Sequence, residues 1–259
     1  MKEKIIFVDG IRCFYLKAGK GQPAIFLHGW GGSSKSLIKP IENLSRQFLI
    51  FSPDLPGFGK TSPPQVPWKV ANFSHFIIKF ANTLKIKKFF LIGHSFGGRI
   101  AIKIAANQPE KIKKLVLCNA SGIEPKNPIK RYTFIAIAKF GKILFLIWPL
   151  CLFKNCARKF LYKLAREQDY FLTKGTMHQT FKRIITEDLS KDLEKITVPT
   201  LILWGEKDKQ TPPPFGKTMH QLIKNSQFIV IPKATHGLPF LKPKTFARRI
   251  SVFFKKDSS

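Results

Sequence analysis

The run Gly93-His94-Ser95-Phe96-Gly97 follows the apolar stretch Phe89-Phe90-Leu91-Ile92 and leads at once into Gly98-Arg99-Ile100-Ala101. A serine flanked at this spacing by two glycines, between a strand and a helix, sits in a sharp, strained turn that lifts its hydroxyl clear of the sheet. Gly93 and Gly97 are small because strand and helix nearly touch there. The same turn aims the first N–H groups of the helix at whatever the hydroxyl attacks. A serine hydroxyl is a poor nucleophile at neutral pH. It needs a base, and the base needs an orienting group. Candidates lie downstream, with Glu206 and Asp208 directly after Leu201-Ile202-Leu203-Trp204 and His236 just beyond Phe228-Ile229-Val230-Ile231. A second glycine-bearing loop, Leu27-His28-Gly29-Trp30-Gly31-Gly32-Ser33, follows another apolar run. It lacks the Lys-Ser/Thr that a phosphate-cradling loop requires.

These residues can cooperate only if folding brings their loops together. Short apolar runs at 4–8, 11–16, 24–27, 48–52, 89–92, 115–117, 201–204 and 228–231 predict eight strands. Asp9-Gly10 supplies the positive φ angles of a tight hairpin turn, so the first two strands are expected to pair antiparallel. From the third strand onward the runs alternate with helix-length stretches. That pattern gives a mostly parallel sheet covered on both faces. Parallel strands put their carboxyl ends on one edge, so the loops after strands five, seven and eight converge there.

One gap is out of proportion. About eighty residues separate the sixth and seventh predicted strands, far more than an ordinary crossover needs. Apolar residues at helical spacing run through it, in Ile135-Ala136-Ile137-Ala138, Phe160-Leu161-Tyr162-Lys163-Leu164 and Thr180-Phe181-Lys182-Arg183-Ile184-Ile185. Pro149 should break or kink the first long helix. Residues 125–196 therefore read as a helical cap inserted after strand six, with 1–124 and 197–259 forming the core.

With elbow serine, acid and histidine in this chain order and the glycine loop ahead of them, the chain resembles the α/β-hydrolases over essentially its whole length. The resemblance implies the α/β-hydrolase fold and makes Ser95 the nucleophile, His236 the general base and acid, and Asp208 the orienting carboxylate. Gly205-Glu206-Lys207-Asp208-Lys209-Gln210-Thr211-Pro212 is similar in register to the family's Gly-x-x-Asp-x-x-x-Pro loop, which favours Asp208 over its rival Glu206. The position after strand six, where some members carry the acid, reads Asn119-Ala120-Ser121 and offers none. By the same resemblance the N–H groups of Trp30 and Phe96 hold the developing oxyanion, while His28, Gly29 and Gly31 support that loop. One such donor is worth about 3 kcal/mol to a transition state. Relatives that open epoxides or displace halide carry aspartate at the elbow, so Ser95 points to acyl transfer. A serine hydrolase of a hydrophobic carboxylic ester is the leading expectation, with a carbon–carbon bond hydrolase or an acyl-carrier thioesterase as alternatives. His94 is expected to pack inside the elbow, and His75, His178 and His220 to be surface or structural residues of helices.

Composition narrows the remaining classes. A hydrophobic share of 44% and a charged share of 23% describe a globular chain of 259 residues. Its 45 Lys+Arg against 15 Asp+Glu give +30, yet 124–195 carry a net +8, which is what an even spread predicts. No Arg-rich or Lys/aromatic nucleic-acid motif is present. The charge therefore reads as a solvated surface, and no nucleic-acid partner is expected beside the small acyl substrate. An even positive field would still attract an anionic membrane surface or an acidic carrier protein. A non-catalytic basic binding module is the reading from another class, and the retention of elbow, acid, base and glycine loop together counts against it. Cys13, Cys118, Cys151 and Cys156 show neither zinc nor thioredoxin spacing and read as reduced thiols. The amino-terminal stretch lacks a signal-peptide core, and the longest apolar run, 143–153, is about half a membrane span. A cytoplasmic protein is expected. Neither a metal nor an organic cofactor is implied, since no ligand cluster or dinucleotide fingerprint occurs.

Overall fold

The computed structural model describes residues 1–123 and 175–256. Eight strands form one sheet: β1 (Lys2–Val8), β2 (Ile11–Ala18), β3 (Pro23–Leu27), β4 (Leu49–Pro53), β5 (Phe89–His94), β6 (Ile112–Cys118), β7 (Thr200–Gly205) and β8 (Ser226–Ile231). Their order is β1-β2-β4-β3-β5-β6-β7-β8. Only β2 runs against its neighbours, pairing antiparallel with both β1 and β4, and every other pairing is parallel. The expected hairpin is present. Asp9 and Gly10 take φ of 49° and 74°, and Val8 pairs with Ile11 across the turn.

Burial follows position in the sheet. Every residue of β5 and of β7 is buried, whereas β1 and β8 lie at the edges and are largely exposed or half-buried. Lys2 and Lys4 on β1 blunt an edge that would otherwise invite pairing with another chain.

Helices cover both faces. On one, α1 (Ile38–Leu44), α7 (Leu238–Leu241) and α8 (Pro243–Lys255) pack together over Phe26, Phe90 and Ile92 of the sheet. The Phe90 and Phe254 rings stack there at 4.0 Å. Buried Lys114 donates to the carbonyls of Phe253 and Lys256, a cationic cap on the end of α8. On the other face, α2 (Val70–Thr83), α3 (Phe96–Asn107) and α6 (Pro213–Leu222) cover Leu91, Leu117 and Trp204.

The predicted cap lies mostly outside the described residues; its end, 175–196, is described. Here α4 (Gly175–Ile185) and α5 (Ser190–Glu194) follow one another. Arg99 of α3 ties them down, with Nη1 donating to the carbonyls of Ile184 at 2.8 Å and Glu187 at 2.6 Å. Leu189, Leu193 and Ile196 are buried in the same cluster as α2 and α3, and Lys103 of α3 pairs with Asp192 at 2.7 Å. Among the described residues no helix is long and apolar enough to cross a membrane.

Two buried histidines close adjacent strands. His94 ends β5, and His28 directly follows β3. Burial is the chief cause that pushes them down, His28 to about 4 and His94 to about 3.

Two predictions follow from this packing. A side chain at Gly97 would meet the backbone carbonyl oxygen of Leu27 at 2.5 Å, and one at Gly93 would meet that of Gly97 at 2.5 Å. Backbone cannot swing aside, so Gly97→Ala should lower the urea midpoint by an amount equivalent to about 1–3 kcal/mol. An unchanged midpoint would contradict the close approach. The histidines set the second prediction. Their unfolded values lie near 6.5, so between there and about 4 the unfolded chain binds more protons. Stability should be complete above pH of about 6.5 and fall as pH drops below it, by up to roughly 1.4 kcal/mol per pH unit for each histidine. A urea midpoint that stays flat from pH 7 to 4.5 would show that these imidazoles are not held neutral.

Candidate active site

Ser95 sits at the junction of β5 and α3 with φ 53° and ψ −114°. A positive φ on a side-chain-bearing residue costs about 1–3 kcal/mol and persists only where its surroundings hold it. Those surroundings are the strand beside it. Ser95 N–H donates to the Cys118 carbonyl at 3.1 Å, and the Ser95 carbonyl accepts from Gly98 N at 2.9 Å and Ser121 N at 3.1 Å. The N–H of Phe96, the first of α3, has no carbonyl within the helix to bind, so it is available beside the hydroxyl.

The acid and base meet at the same sheet edge. His236 Nδ1 and Asp208 Oδ2 are 2.8 Å apart. Asp208 is buried, and its Oδ1 accepts from the backbone N–H of Gln210 at 2.8 Å and of Thr211 at 3.0 Å. Thr211 Oγ1 adds a bond to Oδ2 at 2.8 Å. Burial on its own would raise the Asp208 carboxyl; the hydrogen bond and charge of His236, with the bonds from Thr211, outweigh it and hold the group below its ordinary value. A carboxylate at Nδ1 fixes the imidazole with its proton there, leaving the Nε2 lone pair free as a base. Glu206 plays no part in this. It is exposed and accepts from Lys233 N at 2.8 Å.

His236 is joined to the elbow through its main chain. His94 Nε2 donates to the His236 carbonyl at 2.9 Å, and the two rings lie 5.0 Å apart. Among the described residues no hydrogen bond joins the Ser95 hydroxyl to His236 Nε2. Such bonds are often long without substrate and tighten in the complex. His94 thus does more than pack, because it bonds the loop that carries His236.

The glycine loop lies directly on the serine. A Cβ at Gly29 would be 3.2 Å from the Ser95 Cβ. His28 is fully buried and bridges two loops. Leu55 N–H donates to its Nε2 at 3.0 Å, so Nδ1 carries the proton and donates to the Gly29 carbonyl at 2.7 Å. Gly32 N–H bonds the same carbonyl at 3.1 Å, and Gly31 takes a left-handed φ of 70°. The Trp30 ring meets those of Phe96 at 5.2 Å, Phe58 at 4.7 Å and Phe181 of α4 at 4.9 Å. Ser95, the two loops and an aromatic wall therefore share one site. Among the described residues no three His, Cys, Asp or Glu side chains cluster to hold a metal ion.

Three polar residues of this region escape a reading of motifs. Asp54, buried after β4, accepts from Ser34 N at 2.7 Å and Lys60 N at 2.8 Å and so holds the loops beside His28. Thr211 orients Asp208. Asn119 bonds both the end of β7 and the loop after β8. Only the turn-rich run Asp54-Leu55-Pro56-Gly57-Phe58-Gly59 offered a signal for any of them.

The sequence matches the alpha/beta hydrolase fold family over residues 23–135 and the TAP-like protein family over 171–257. It is 30% identical to the pimeloyl-[acyl-carrier protein] methyl ester esterase of Wigglesworthia glossinidia brevipalpis, spanning 90% of this chain and 93% of that protein. It is 26% identical to the 2-hydroxy-6-oxo-6-(2'-aminophenyl)hexa-2,4-dienoic acid hydrolase of Metapseudomonas resinovorans, spanning 98% of this chain and 91% of the relative. Among solved structures, a serine hydrolase involved in carbazole degradation superposes with a TM-score of 0.74 at 25% identity, over 98% of both chains. Sheet order, elbow turn and whole-length likeness agree that the chain belongs to the α/β-hydrolase superfamily of enzymes.

Proposed function

We propose that this enzyme is a serine hydrolase that cleaves a hydrophobic carboxylic ester through an acyl-enzyme. The observation that carries the reading is the hydrogen bond between His236 and buried Asp208 at the sheet edge where strained Ser95 also stands. In this reading Ser95 Oγ attacks the substrate carbonyl while His236 Nε2 takes its proton. Asp208 stabilises the imidazolium that forms. The N–H groups of Trp30 and Phe96 bind the oxyanion. His236 then protonates the departing alcohol, and a water activated by His236 hydrolyses the ester on Ser95.

The aromatic wall of Trp30, Phe58, Phe96 and Phe181 favours an apolar acyl group. The likeness to the Wigglesworthia esterase supports an acyl ester presented on a carrier protein. A second reading rests on the Metapseudomonas relative, a hydrolase of an oxo-dienoic acid. By that likeness the same serine would cleave a carbon–carbon bond next to a ketone.

A fluorophosphonate probe tests the nucleophile. Wild type should label and Ser95→Ala should not, and equal labelling of both would remove Ser95 from the mechanism. Asp208→Asn leaves Nδ1 without its acceptor and should reduce kcat by about 10⁴-fold, whereas Glu206→Gln should leave it within about twofold, as a surface change should. A nitrophenyl ester series of increasing chain length, run beside a vinylogous diketone, separates the two readings. Turnover of the diketone alone would favour carbon–carbon cleavage.

A further inference from the structure

Asn119 directly follows β6, fully buried, with a left-handed φ of 45° that asparagine tolerates better than most residues. Its carboxamide has no spare capacity on the donor side. Oδ1 accepts from Gly205 N–H, the last residue of β7, at 2.9 Å. Nδ2 donates to two consecutive carbonyls of the β8 loop, Thr235 at 3.0 Å and His236 at 2.9 Å. The amide orientation is forced, because an N–H faces one end and two carbonyls face the other. The Asn119 main chain continues the pattern. Its N–H bonds the Leu203 carbonyl at 3.0 Å, and its carbonyl lies 3.1 Å from Thr211 Oγ1, the hydroxyl that also contacts Asp208.

The His236 carbonyl thus receives donors from two different strands, Asn119 Nδ2 after β6 and His94 Nε2 at the end of β5. One donor would satisfy it. Two converging donors use both lone pairs and fix the peptide plane from which the imidazole hangs. The residues flanking this position serve Ser95: Cys118 O accepts from Ser95 N–H, and Ser121 donates to Ser95 O from both its N–H and its hydroxyl.

We propose that Asn119 and His94 are positioning residues that clamp the His236 main chain, so that its imidazole keeps both Asp208 and the Ser95 hydroxyl within reach. This rests on the serine-hydrolase reading given above. Neither side chain touches the reacting atoms, and they act through the placement of His236. Misplacing a base by about 1 Å can cost about 10²-fold. The low value to which burial pushes His94 agrees with a ring held neutral as a donor from Nε2 alone.

The test compares Asn119→Ala, His94→Met and His94→Gln with wild type. Met fills the histidine's space without a donor, whereas the Gln amide places an N–H near the old Nε2. The clamp predicts that Asn119→Ala and His94→Met lower kcat for a nitrophenyl ester by about 10–100-fold with KM nearly unchanged, in step with slower fluorophosphonate labelling. His94→Gln should recover most of that loss. A low-field proton signal from His236 Nδ1–H, read by NMR on histidine-labelled protein, should be present in wild type and His94→Gln and lost in the other two. Equal kcat for His94→Met and His94→Gln, or a signal that persists in all four proteins, would overturn the proposal. If wild type is not labelled at Ser95, the hydrolase reading fails by itself, and the NMR arm still decides the clamp. Should Asn119→Ala fail to fold, the His94 pair carries the comparison.

Discussion

A buried carboxylate bonded to one nitrogen of an imidazole is the constraint on which this molecule turns. Asp208 is removed from water and would be driven neutral there if nothing compensated. Two backbone N–H groups, a threonine hydroxyl and the His236 ring compensate it. The compensation has a chemical result. It assigns the imidazole proton to Nδ1 and leaves a basic lone pair on Nε2. The hydrolase fold can be read as the apparatus that brings this pair to the rim where strained Ser95 stands.

That apparatus is backbone far more than side chain. β5, β6, β7 and β8 run parallel, so Ser95, Asn119, Asp208 and His236 all follow strand ends on one edge. Glycines set the spacing between layers: Gly97 lies against the backbone of Leu27 and His28, and Gly205 against that of Ala234 and Thr235. Any larger residue at either position would push these layers apart. The strain at Ser95 is tolerable because the β6 tail holds it on both sides, from Cys118 and from Ser121.

Much of this was legible in the sequence, and the reasons are physical. Strands buried on both faces must be apolar throughout, so Phe-Phe-Leu-Ile and Leu-Ile-Leu-Trp announce themselves, and all eight predicted strands occur with ends shifted by a few residues. Asp208 stood out from Glu206 through the loop's resemblance to the family's Gly-x-x-Asp-x-x-x-Pro pattern, and Glu206 lies exposed, bonded to the Lys233 main chain. Polar residues that serve backbone groups leave no such trace. Asn119, Thr211 and Asp54 bond main-chain N–H and C=O groups brought close only by the fold, at separations of up to 117 residues along the chain. Their types are common in loops, and only Asp54 stands in a run whose composition marks a turn. The second antiparallel neighbour of β2 was equally hidden, since the hairpin signal speaks for β1 alone. The stretch after β6 read as one cap, but its last residues, Leu189 to Ile196, pack beneath α3. Their apolar spacing suits a cap and a core equally.

The most direct measurement of the central claim is the crystal structure of the protein after reaction with a fluorophosphonate. The account predicts phosphorus bonded to Ser95 Oγ, with one phosphoryl oxygen within hydrogen-bond distance of the N–H groups of Trp30 and Phe96. His236 Nε2 should face the adduct while Nδ1 remains on Asp208. An adduct on another residue, or a phosphoryl oxygen turned to solvent with His236 swung away from Asp208, would contradict it.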